Sequence, residues 1–69
     1  MRANMPYQIN SDLPPSITNN LPEHAQTIFR KVFNHALEEY GTEEQAFKVA
    51  WAAVKKTYEK NAQGVWVEK

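Results

Sequence analysis

Two histidines, a group of glutamates and a row of lysines are the side chains whose types and spacing could support chemistry or hold a charged ligand. His24 and His35 come first, because imidazole titrates near neutrality and is a common zinc ligand. Placed on one helix they return to nearly the same face, but at 1.5 Å per residue they stand about 16 Å apart, too far to share an ion. The carboxylates beside them, Glu23 next to His24 and Glu38 three beyond His35, bring no third ligand, so both histidines read as solvated or helix-edge groups. Glu38, Glu39, Glu43 and Glu44 flank Gly41 without the alternating oxygen ligands and terminal bidentate Glu of a calcium loop. Glu43 and Glu44 suit the positive end of a following helix; Glu38 and Glu39 sit near a negative end, which leaves room for a cation or a partner's lysine.

The lysines make a stronger case for contact than for catalysis. Lys48, Lys55, Lys56 and Lys60 gather on the outer side of one predicted helix and form the candidate electrostatic surface, although Glu44 and Glu59 interrupt it. No arginine-aromatic interleaving accompanies them, so a solvated, ion-paired face is favoured over a nucleic-acid footprint. Trp51 lies mid-helix among Ala50, Ala52 and Ala53, where small neighbours allow another element to come close; Trp66 is its expected partner. The functional alternative leaves Trp66 exposed as an anchor for another protein. Ser11, Ser16, Thr18, Thr27, Thr42 and Thr57 have no histidine and carboxylate arranged as a triad, and Gly41 and Gly64 alone make no phosphate loop. No catalytic, metal or cofactor-binding residue is assigned and no enzyme is expected. The partner-surface candidates are Lys48, Lys55, Lys56, Lys60 and Trp66.

Composition narrows the setting. Sixty-nine residues make one domain, whose core supplies about 3–5 kcal/mol of net stability. There is no cysteine, so disulfides and thiolate metal sites are excluded and a cytoplasmic location is the default. Eight basic and eight acidic side chains cancel, which argues against broad neutralisation of phosphates or anionic lipid. No apolar run approaches the about 20 residues that span a bilayer, so any role in ion transport is indirect and direct membrane insertion is not expected.

The elements that must position these groups follow from punctuation and periodicity. Tyr7 and Ile9 alternate with polar Gln8 and Asn10, as a short strand would. Ser11 to Ile17 carries Pro14 and Pro15 into a helix of one or two turns, with Leu13 and Ile17 on its buried face. Pro22 opens a second helix that Gly41 closes, and Ala25, Ile28, Phe29, Val32, Phe33, Ala36, Leu37 and Tyr40 keep one apolar face along it. Thr42-Glu43-Glu44-Gln45 has the spacing of a capping box and starts a third helix. Ala46, Phe47, Ala50, Trp51, Val54 and Tyr58 face inward there, Glu44 and Lys48 pair outside, and Asn61 to Gly64 ends it. The short connection at Gly41 forces the two long helices into a hairpin. Val65-Trp66-Val67 reads as a returning strand, with Tyr7 to Ile9 its candidate partner.

Met5-Pro6-Tyr7, Ser11-Asp12-Leu13-Pro14, Leu21-Pro22-Glu23-His24-Ala25-Gln26, Phe33-Asn34 and the run from Ala46 to Lys55, with Tyr58 and Trp66 beyond it, together resemble the ChaB family of cation transport regulators. The resemblance covers Met5 to Trp66, making residues 5–69 one ChaB-like domain and residues 1–4 an upstream start or appended leader. It implies a compact, mainly helical fold of one short and two long helices with short extended segments near both ends. It also implies regulation of a sodium or calcium/proton antiporter, and it carries no catalytic or ligand residues. Bacterial members are expected to have a longer, charged connection where this chain has Tyr40-Gly41-Thr42. The expected function is a small binding module, monomeric, acting through a protein partner such as a membrane antiporter. The alternatives are a nucleic-acid-associated domain using the lysine face and a self-associating structural domain.

Overall fold

Three helices and one β-hairpin make up the computed structural model, which describes residues 7–69. The expectations for Met1 to Asn4 and for Met5-Pro6 lie outside the described residues. A single 3-10 turn, Asn10–Asp12, leads to the short helix α1, Pro15–Thr18; α2 spans Glu23–Tyr40 and α3 Glu43–Thr57. Strands β1, Tyr58–Lys60, and β2, Trp66–Glu68, follow.

The long helices form the expected hairpin. Gly41 takes φ 83° and ψ 0°, the left-handed cap that a side chain disfavours, and its N–H closes on the Leu37 carbonyl. Thr42 caps the next helix at once, its hydroxyl accepting the Gln45 N–H at 3.4 Å. The reciprocal half of the capping box, from the Gln45 side chain to Thr42, is not made among the described residues. Pro22 is the residue before α2 rather than its first turn: ψ is 163°, and its carbonyl accepts the Gln26 N–H.

The core runs between these helices and under α1. Leu13, Ile17, Leu21, Ala25, Phe29, Phe33, Ala36, Ala46, Ala50, Val54 and Tyr58 are buried, with Ile28, Val32, Leu37, Phe47, Val49, Trp51 and Trp66 packed around them. Leu13 and Ile17 share the core as expected, although Leu13 lies between the 3-10 turn and α1. Alanines at 25, 36, 46 and 50 leave space that Phe29, Phe33 and Phe47 fill, with Phe33 and Phe47 edge to face at 4.8 Å. Tyr40, expected on the apolar face, is 53% exposed; it is the last residue of α2, beside the Gly41 turn.

Two differences concern the chain ends. The third helix stops at Thr57, and Tyr58, expected on its inner face, is instead the first residue of β1 with φ −128° and ψ 154°. It still reaches the core at 5% exposure. The tail does become a strand, but it pairs antiparallel with β1 in the register Tyr58–Glu68, Glu59–Val67, Lys60–Trp66. The loop explains this local choice. The Asn61 side-chain carbonyl accepts the N–H groups of Gln63 and Val65, each at 2.9 Å, and Gly64 supplies a φ of 81°.

Tyr7 to Ile9 is tied to α2 instead. Asn34, 6% exposed, donates from Nδ2 to the Tyr7 carbonyl at 2.7 Å and accepts the Tyr7 N–H at 3.4 Å. Asn10 joins Glu23 and Thr27, and Arg30 reaches Asn10 Oδ1 and the Gln8 carbonyl. The Tyr7 ring meets Phe33 at 5.1 Å, and burial, followed by the nearby Glu43 carboxylate, holds its phenol above the ordinary pKa of 10.0.

Candidate partner-binding groove

Trp51 and Trp66 meet, as their residue types suggested, but the contact does not close the core. Trp51 sits on α3 with its ring edge to face on Phe29 at 5.3 Å, and Trp66 on β2 lies against it at 5.5 Å with the planes inclined by 36°. Both remain half-buried. Their outer sides form one wall of an open groove of about 510 Å³, completed by Ser16, Asn20, Lys55 and Lys60.

Each element contributes for a local reason. Lys55 follows Trp51 by four residues on α3, so the two side chains share a face. Lys60 is opposite Trp66 across the hairpin, which carries its ammonium to 5.9 Å from the ring centroid in a cation–π contact. Asn20 closes the far edge, its amide donating to the Ser16 carbonyl at 2.6 Å and fixing the end of α1. A shallower hollow of about 280 Å³ continues around the same tryptophan, where Lys69 joins Lys55 and Lys60 beside Tyr58 and Glu59.

The five candidates of the partner surface therefore separate. Lys55, Lys60 and Trp66 come together; Lys48 and Lys56 are exposed on α3 and line neither part of the groove. Sequence reasoning missed Ser16, Asn20 and Lys69 as neighbours of the site and took Trp51 for core. The four-residue step from Trp51 to Lys55 was a readable signal, whereas Lys60 and Lys69 depended on the hairpin register. No arginine joins these aromatic rings; the fold brings Lys55 and Lys60 beside them.

The remaining candidates lie elsewhere. His35 faces solvent and sits 4.0 Å from Glu39, one turn on, rather than pairing with Glu38. His24 is exposed and meets Tyr58 edge-on at 6.3 Å. The expected Glu44–Lys48 pair does not close to 4.0 Å; among the described residues His35–Glu39 is the pair that does, consistent with the small gain from exposed ion pairs. Among the described residues no three His, Asp or Glu side chains gather as a metal site, and no helix is long and apolar enough to cross a membrane.

Comparison with known proteins bears on the family and the fold. The ChaB family profile matches residues 13–69. Proteins named "Putative cation transport regulator ChaB" from Escherichia coli K12 and Shigella flexneri are each 44% identical over 75 aligned positions, covering 94% of this chain and 99% of the relative. That alignment is longer than the 69-residue chain, so the relatives carry residues with no counterpart here. The "NMR solution structure of the putative cation transport regulator ChaB" superposes with a TM-score of 0.83 at 43% identity, covering 93% of this chain and 99% of that one. The chain, with its helical hairpin, returning strand and paired tryptophans, belongs to the ChaB family.

Proposed function

We propose that this protein is a small cytoplasmic regulatory module without catalytic activity. It modulates a sodium or calcium/proton antiporter by holding a segment of a protein partner in the Trp51–Trp66 groove. One observation carries the reading: the only two tryptophans of the chain meet at an open groove bordered by Lys55 and Lys60. Aromatic rings left half-open beside cationic side chains are the composition of recognition sites, in which apolar anchors supply affinity and charges supply orientation. The names of the relatives, cation transport regulators, support the regulatory half of the proposal.

The test uses inverted membrane vesicles from cells of the source organism lacking this protein. Sodium- or calcium-driven dissipation of the proton gradient is followed with and without purified protein. A change in initial rate with the wild type, lost with Trp66→Ala, is the expected result. No change at saturating protein with either cation overturns it.

The alternative nucleic-acid role gains one observation. Lys55 and Lys60 stand beside two aromatic rings, the pairing on which single-stranded bases stack. Binding of an oligonucleotide that weakens steeply as salt rises would favour that reading.

A further inference from the structure

Lysines dominate the charge around the tryptophan pair. Lys55 and Lys60 line the main groove, with no acidic residue among its walls in the described residues, and Lys69 extends the cationic border around Trp66. Among the described residues, Glu59 is the acidic side chain on that border. Lys60 contacts the Trp66 ring at 5.9 Å, a cation–π contact that biases its ammonium towards the edge of the groove. The volume of this open groove falls within the about 300–1,000 Å³ of ligand-binding clefts.

Resting on the binding-module reading above, we propose that the occupant is an acidic linear peptide segment with an aromatic side chain flanked by carboxylates. The aromatic ring stacks on the open sides of Trp51 and Trp66, and the carboxylates reach Lys55 and Lys60, with Lys69 assisting at the outer edge. A phosphate chain fits less well. It needs a track of cations, and here Lys48 and Lys56 lie off the groove while Glu59 interrupts its border. A peptide requires only two or three point charges around one anchor, which is what the walls supply.

Both tryptophans line the groove, so tryptophan emission, excited at wavelengths where Tyr7, Tyr40 and Tyr58 do not absorb, reports on this site. The probes are an acetylated, amidated Glu-Glu-Phe-Glu-Glu peptide, its Gln and Lys counterparts, and oligothymidylate. The acidic peptide is expected to shift tryptophan emission saturably and to bind about tenfold more tightly than the Gln peptide. The Lys55→Glu/Lys60→Glu variant, with unchanged circular dichroism, is expected to lose that preference and to favour the Lys peptide. Equal affinity for the acidic and Gln peptides overturns the proposal, as do the absence of any response to the acidic peptide and tighter binding of oligothymidylate. The two readings fail separately: a Trp66-dependent antiport effect without acidic-peptide binding removes only the partner chemistry. Lysine-dependent peptide binding without an antiport effect removes only the antiporter role.

Discussion

Asn34 fastens the N-terminal segment by satisfying both backbone groups of Tyr7 from one side chain. Its amide is suited to this because it offers a donor and an acceptor at once. Replacing Asn34 with Leu removes both bonds from a buried position and is expected to cost about 1–3 kcal/mol. In a domain of this size each kcal/mol lowers the melting temperature by about 4–8 °C, a shift that thermal denaturation followed at 222 nm will resolve. Asn34→Asp is expected to be no milder. The carboxylate keeps an acceptor for the Tyr7 N–H but faces the Tyr7 carbonyl, and it brings a charge into a site that is 6% exposed. A melting temperature within error of wild type for both variants would show that the segment is not held there.

At the scale of elements, the turn between α2 and α3 depends on Gly41 for its conformation and not for space. A Cβ added there would meet nothing within 4 Å, so the cost of Gly41→Ala is the left-handed backbone alone, about 1 kcal/mol, and Gly41→Asn should cost less because Asn tolerates that region. Denaturant midpoints ranked Gly, Asn, Ala are the expected order, and Ala equal to Gly would refute it. This turn was legible in the sequence because its signals are local: Gly41 ends one apolar period, and the Thr42 and Gln45 spacing starts the next. Tyr58 was not, since an aromatic residue at helical spacing reads as more helix until Asn61 and Gly64 are seen to build a hairpin that pulls it extended. The N-terminal strand failed for the opposite reason. Tyr7 and Ile9 alternate, but the groups that bind this segment, Asn34 and Arg30, are more than twenty residues away and carry no periodic signature. The groove was half legible: Trp51 and Lys55 share a helix face, while Lys60 and Trp66 become neighbours only through strand register.

Across the whole molecule, aromatic contacts link the two ends of the described chain. Tyr7 meets Phe33, Phe33 stacks on Phe29, Phe29 meets Trp51 and Trp51 meets Trp66. The helical hairpin supplies the middle of this chain of rings, and the β-hairpin supplies its last member, so the groove exists only while the tail is docked. Trp66→Ala tests that dependence. Because Trp66 is half-buried, its truncation is expected to cost about 2 kcal/mol, below the about 3–5 kcal/mol typical of an enclosed aromatic ring. The helical signal at 222 nm should survive at low temperature, since the fully buried residues between α2 and α3, among them Phe29, Phe33, Ala46 and Ala50, belong to the helices themselves and Trp66 only packs against their edge. Trp51 becomes the sole tryptophan, and loss of its neighbour should expose its outer side and move its emission to longer wavelength. The same variant should lose peptide-induced fluorescence changes, which ties the stability of the tail to the existence of the binding surface. An unchanged melting temperature together with unchanged Trp51 emission would mean that the tail adds nothing to the fold in solution, and the groove would then have no second wall.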